Sequence, residues 1–198
     1  PTKLTKQIEE ITKYKIRKQN LADEIQRIKE SNEPNKERKI KRLEKKYTIG
    51  NVNFDAVVIS DFDESLKSVA TSLLYTDVSP KNKYFITLNQ WFDESLMEEE
   101  NIQPIYYPSI NKENYDEFTN LYFKKFKQYP NQLSFLSYDI VGLVYYLIFQ
   151  NNWVIEEKIF SKKDKFKGKV GIFEINDKKI NHVLNFYKIE NSNIKKIF

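Results

Sequence analysis

The hydrophobic positions of this chain change their spacing twice. From Leu4 to Ile28 they recur at helical intervals, at Leu4, Ile8, Ile11, Leu21, Ile25 and Ile28; after Asn32-Glu33-Pro34 the spacing resumes at Ile40, Leu43 and Tyr47. The pattern predicts a helical hairpin turned at the proline and ended by Gly50, a residue that tolerates the left-handed conformation of a helix end. Its apolar stripe is thin, so the hairpin is expected to project from the body of the protein or to lie along one edge of it.

From Phe54 the helical period gives way to a unit written twice. FDAVVISDFDESL and KYFITLNQWFDESL each join an apolar run to Phe-Asp-Glu-Ser-Leu, at 62–66 and 92–96. Short runs of Val, Ile, Phe and Tyr with no polar face predict strands buried on both sides in a parallel sheet. The acidic residues that follow suit a first helical turn, whose unpaired N–H groups carry partial positive charge. Each copy therefore predicts strand, tight turn, helix. A third strand, Ile105-Tyr106-Tyr107, is expected to close at Pro108 and to hand over to a helix from near Asn111.

Leu66, Val69, Ala70, Leu73 and Leu74 give the first of these helices an apolar face, which Asp77 and Pro80 stop. Tyr115, Phe118, Leu121, Tyr122 and Phe126 make an aromatic stripe that reads as core, ended by Pro130. Phe135 to Phe149 is apolar on nearly every side, as a helix wedged between neighbours would be, with Ser134 or Ser137 to cap it. The tail alternates again at 169–175, Val183 to Ile189 and Ile194 to Phe198, with turns at Asn176-Asp177 and 190–193, and predicts an antiparallel meander. The expected fold is α/β: an open parallel sheet flanked by helices over 51–152, an N-terminal charged helical hairpin over 1–50, and a C-terminal β segment over 153–198.

Composition narrows the function classes. With 198 residues and 40% hydrophobic content the chain can bury one sizeable core. Its net charge of +5 is uneven: residues 1–47 hold 15 Lys+Arg against 8 Asp+Glu, leaving 18 against 20 beyond them. That segment reads either as a docking face for phosphates or anionic lipid, or as a solvated face. Interspersed acidic residues and missing aromatic platforms favour the solvated face, and no nucleic-acid partner is expected. No apolar run approaches the roughly 20 residues that cross a bilayer, the longest being Ile140 to Phe149. There is no cysteine to form a disulfide or thiolate metal site. His182 is the only histidine and has no serine elbow or cysteine to activate, and no glycine-rich phosphate loop occurs. Pro1 stands where an initiator methionine would, which implies processing or an upstream start.

Open parallel sheets take ligands beyond the carboxyl ends of their strands. Ser60-Asp61-Phe62, Asn89-Gln90-Trp91 and Tyr107-Pro108 are thus expected to share a rim. A structural reading stands beside this one: Asp61 and Asp63 as helix caps, Trp91 and Tyr107 as packing. AVVISDFDESL also looks like the first motif of haloacid-dehalogenase-type phosphatases. That likeness implies Asp61 as nucleophile, Asp63 as acid/base, Thr87 as phosphate-binding hydroxyl and Mg²⁺ as cofactor. It lacks a later acidic pair at a strand end, because Glu156-Glu157 and Asp164 are expected in loops, and the copy at Phe92 to Leu96 has no second Asp-x-Asp.

Taken together, FDAVVISDFDESLKSVATSLLYTDVSPKNKYFITLNQW, IYYPS, LSFLSYDIVGLVYYL and FKGKVGIFEIN resemble the second half of type I periplasmic binding proteins. They are most similar to the penicillin-binding protein activator branch, related to the leucine/isoleucine/valine-binding proteins. The likeness runs from Phe54 to the end, and the order and spacing of the segments carry it. It implies one lobe of a two-lobed, non-enzymatic receptor that closes on an amino-acid-like small molecule in the periplasm, with no cofactor. The first lobe has no counterpart in this chain. Carried over, the ligand-binding wall is Asp61, Phe62, Asn89, Gln90, Trp91 and Tyr107, joined by Tyr138: a carboxylate for an ammonium group, amides to orient, aromatic faces to cover apolar parts. The implied partners are envelope proteins such as an ABC permease or a peptidoglycan synthase. The second of these belongs to an alternative reading of the chain as an envelope scaffold that binds through its hairpin.

Overall fold

The computed structural model describes residues 2–161, 164–169, 171–176 and 179–198. The chain divides into two compact units, one of Pro1–Leu88, Ser95–Tyr106 and Ile189–Asn193, the other of Asn89–Glu94, Tyr107–Lys188 and Ile194–Phe198. Val170 and Asp177, read from sequence as part of a strand and of a turn, lie outside the described residues.

The first unit opens with α1 (Lys3–Ile11), α2 (Tyr14–Glu30) and α3 (Lys36–Leu43). The periodic run from Leu4 to Ile28 is two helices rather than one, because Thr12 turns its N–H and its hydroxyl onto the Ile8 carbonyl and Lys13 adopts a left-handed conformation. The turn at Pro34 is where the sequence puts it. Leu21, Ile28 and Leu43 are buried together, flanked by Ile25, Ile40 and Ile49, and each fully buried side chain contributes about 1.5–3 kcal/mol. Tyr47 is outside this cluster and exposed. Buried Arg17 ties the hairpin down: Nε donates to the Gly50 carbonyl (3.1 Å), Nη1 to the Thr76 carbonyl (3.0 Å) and Nη2 to Thr48 Oγ1 (2.8 Å). A guanidinium is suited to this, since its five donors radiate in a fixed plane.

Strands β1 (Ala56–Ile59), β2 (Tyr84–Thr87) and β3 (Ile105–Ser109) pair in parallel, Ala56 to Ile59 opposite Tyr84 to Thr87, and Phe85 and Ile86 opposite Ile105 and Tyr106. The parallel pairing is as the apolar runs predicted. Burial on both sides does not hold for β1 or β2: Val58 is 63% and Tyr84 58% exposed on the same face of the sheet, a face that is partly buried in β3. Pro108 does not close β3; the strand continues through it to Ser109. With β7 (Asn185–Glu190) and β8 (Asn193–Lys196) the sheet order is β1-β2-β3-β7-β8.

The two Phe-Asp-Glu-Ser-Leu copies differ. The first starts α4 (Asp63–Tyr75), which buries Leu66, Ala70 and Leu73 and stops at Asp77, a left-handed residue. The second makes only a 3-10 turn over Glu94–Met97, against the helix expected there. Leu96 is followed by Met97-Glu98-Glu99-Glu100-Asn101, with no apolar residue three or four positions on, so a helix would have no face to bury. Buried Gln103 holds the loop instead: its Nε2 donates to the Leu96 and Met97 carbonyls at 3.1 Å, and its Oε1 accepts the Ser192 N–H.

In the second unit α5 (Lys112–Phe126) and α6 (Gln132–Gln150) are capped by Asn111 and Asn131, whose side chains accept the N–H groups of Asn114 and Ser134. The cap of α6 is thus Asn131, not Ser134 or Ser137. β4 (Asp164–Lys167), β5 (Ile172–Asn176) and β6 (Lys179–Val183) form an antiparallel three-stranded sheet. The strand expected from Val183 to Ile189 is divided between β6 and β7. The turn at Asn191-Ser192 has two left-handed residues, as a two-residue hairpin with right-handed strand twist requires.

Helix α6 is not wedged between neighbours. It buries Phe135, Asp139, Leu143 and Leu147 but leaves Leu133, Ile140, Val141, Tyr145 and Phe149 exposed. At 19 residues it is also long and apolar enough to cross a membrane by length and composition, which corrects the expectation that no segment reaches that measure. Its one charged residue, Asp139, accepts the N–H groups of Lys169 (2.7 Å) and Gly171 (3.2 Å), an arrangement of a helix packed in a globular unit.

Candidate functional site

The level pairing of Ile59 with Thr87 puts the carboxyl ends of β1 and β2 side by side. Just beyond β1, the Asp61 carboxylate accepts the Phe62 N–H at 3.0 Å, and Phe62 is 41% exposed. The N-cap position of α4 is Phe62, without a side-chain cap, while Asp63 and Glu64 occupy the first turn as expected.

In the second unit the residues after β2 make a tight turn. Asn89 Oδ1 accepts from the Trp91 N–H (2.9 Å) and from the Ser109 hydroxyl (2.8 Å), which links this turn to the end of β3. Gln90 is buried and its carbonyl accepts the Asp93 N–H. Trp91 and Phe92 both have positive φ, 50° and 60°, at a cost of about 1–2 kcal/mol each for residues with a Cβ. Ring packing holds them there. Trp91 lies 5.8 Å from Phe135, and Phe92 lies 5.0 Å from Tyr115 and 5.1 Å from Tyr187.

Tyr107 is fully enclosed, stacked 5.8 Å from Tyr187 and set edge-on to Phe92. Its hydroxyl has no hydrogen-bond partner among the described residues, and burial, with Tyr187 and Asp93 adding to it, pushes its pKa well above the usual tyrosine range. The Tyr187 hydroxyl accepts the Lys112 N–H at the start of α5. Tyr138 stands elsewhere in this unit, exposed on the wall of a groove of about 950 Å³ between α5 and α6, edge-on to Phe118 at 5.2 Å. Of the second-unit residues singled out from sequence, Asn89, Gln90 and Trp91 share the turn; Tyr107 sits in the aromatic core and Tyr138 on the groove. Asp61 and Phe62 belong to the first unit.

For the phosphatase-like reading, Thr87 is buried and its hydroxyl donates to the Leu88 carbonyl at 3.0 Å. Asp164 begins β4 rather than lying in a loop. Among the described residues no group of three or more His, Asp or Glu is placed to hold a metal ion. Two residues went unnoticed in the sequence. Asp139 could have been flagged as the lone charge in an apolar stretch; Ser109, which fixes Asn89, carries no such signal.

No family model and no curated protein matches this sequence. Solved structures do. An extracellular ligand binding receptor from Desulfohalobium retbaense superposes with a TM-score of 0.51 at 13% identity, over 72% of this chain and 26% of the receptor. The leucine binding protein LivK from Thermotoga maritima also gives 0.51, at 17% identity, over 73% of this chain and 44% of LivK. Part of this chain has the type I periplasmic-binding fold. It spans under half the length of either structure. The C-domain of LpoA from Haemophilus influenzae, a regulator of PBP1A, gives 0.49 at 15% identity.

Proposed function

We propose that this chain is a non-enzymatic binding lobe of the cell envelope, periplasmic in location, which takes an amino-acid-like small molecule at the carboxyl ends of its parallel strands for delivery to a membrane permease. The observation that carries the reading is the level, parallel pairing of β1 with β2, which sets Asp61 and Phe62 just past a shared strand edge. Ligands of open parallel sheets sit in that position. Asp61 supplies the carboxylate for the ligand ammonium and Phe62 the apolar cover. Asn89, Gln90 and Trp91, in the second unit, follow β2 after Leu88 in a turn with two strained residues, Trp91 and Phe92, of the kind that cluster at ligand-binding turns. Tyr107 supports that turn from the core, and Tyr138 is the member of the set furthest from this role.

Isothermal titration of the 198-residue chain with a panel of free amino acids tests the proposal. At least one is expected to bind, and Asp61→Asn to weaken it about 10- to 100-fold, the range for loss of a charge-assisted hydrogen bond. Binding that Asp61→Asn leaves unchanged, or no binding across the panel, would reject it.

A further inference from the structure

The charge of this molecule is concentrated in eleven residues. Between positions 36 and 46 there are seven Lys or Arg and two Glu, so this stretch accounts for the whole net charge of +5, and the rest of the chain holds 26 residues of each sign. The fold gives the stretch an orientation that composition does not. Ile40 and Leu43 turn inward against Leu21 and Ile28. At 100° per residue, Arg38, Lys41, Arg42 and Lys45 fall on the opposite face, spaced i, i+3, i+4 and i+7 along α3 and the turn after it. All four are exposed.

Two acidic residues ahead of the stretch are engaged elsewhere. Glu24 pairs with Arg27, and Glu33 with both Arg27 and Lys39. Among the described residues none of Arg38, Lys41, Arg42 and Lys45 forms an ion pair; Glu44 alone shares their shallow surface. Tyr47, 75% exposed, follows at the edge of the stripe. A solvated face mixes the two signs in like measure; here four cations stand against Glu44, with Glu37 on the flank of the helix.

We propose that this face of α3 docks on a bilayer surface rich in anionic phospholipid. The stripe is about 10 Å long, on a convex helix face that meets a plane of phosphates more readily than it encloses a single one. No aromatic residue interrupts it, as a single-stranded nucleic-acid platform would require. An exposed tyrosine beside a basic cluster is the pairing found at headgroup level. Basic clusters of this size bind anionic lipid, each residue near the surface contributing about fivefold in partition.

Co-sedimentation of the 198-residue chain with phosphatidylcholine vesicles, with and without about 30% phosphatidylglycerol, tests this. Binding is expected only with phosphatidylglycerol and at low salt, and is expected to be lost near 0.5 M salt, where screening shortens to a few ångströms. Lys41→Gln with Arg42→Gln should reduce it about 25-fold. Lys124→Gln with Lys125→Gln, an equal charge change on α5, should leave it unaltered. Equal losses from both pairs, equal binding to both vesicles, or tighter binding to duplex DNA at matched phosphate concentration would each overturn the proposal. Far-UV circular dichroism confirms that the variants keep their helices.

Discussion

At the scale of single residues, His182 shows how packing sets chemistry. Its ring stacks on Phe173, centroids 4.5 Å apart and nearly parallel, and Nε2 is buried without a hydrogen-bond partner among the described residues. Desolvation lowers its pKa below the ordinary 6.5, against a smaller opposing effect of the Asp139 carboxylate. The sign follows from which state binds more protons. Below pH 6.5 the unfolded chain takes up a proton that the folded ring resists, so His182 contributes its full stability above pH 6.5 and loses it as pH falls through the depressed folded value. Urea unfolding midpoints measured from pH 8 to pH 5 are expected to fall below pH 6.5. In His182→Gln that part of the slope should flatten; an unchanged slope would assign the loss to the carboxylates.

Among elements, α6 meets the loop between β4 and β5 through its one charged residue. Asp139 is buried, and a Cβ built on Gly168 would stand 2.3 Å from its Oδ2 and 2.8 Å from its Oδ1. The carboxylate cannot retreat without giving up the Lys169 and Gly171 N–H groups. Gly168→Ala is therefore expected to lower stability by about 1–3 kcal/mol, as overpacking does. Gly142, inside α6, would place a Cβ 3.4 Å from the Phe166 ring, in ordinary contact, so Gly142→Ala should raise stability by roughly 0.5–1 kcal/mol. Chemical denaturation of the two variants checks both signs. The three parallel strands were legible in the sequence because apolar runs followed by acidic turns have few other readings. The second Phe-Asp-Glu-Ser-Leu was misleading because its local sequence matches the first while the residues beyond it offer no face to bury. The break between α1 and α2 rests on a left-handed lysine, which no glycine marks. At the candidate site the strand ends could be read, but the enclosure of Tyr107 could not, since Tyr187 stacks on it from far along the chain.

For the molecule as a whole, the exposed apolar side of α6 and the groove it shares with α5 are the least expected features of a water-facing surface. Leu133 and Val141 are each 69% exposed, and no charged residue interrupts α6 on that side, because Asp139 points inward. Monomeric proteins rarely show continuous apolar surface of this kind without a use for it. The second-unit pocket is lined by Phe118, Tyr122, Phe126, Tyr138 and Tyr145, rings that an amphiphilic dye can stack against. The folded chain is therefore expected to enhance the fluorescence of anilinonaphthalene sulfonate severalfold without denaturant. Ser137→Trp fills the groove from an exposed helical position, and Val141→Lys places a charge on its wall; each should cut the enhancement by more than half while leaving the unfolding midpoint in place. A shifted midpoint with unchanged dye response would mean that these positions are packed rather than open, and that the apolar side of α6 is satisfied within the chain itself.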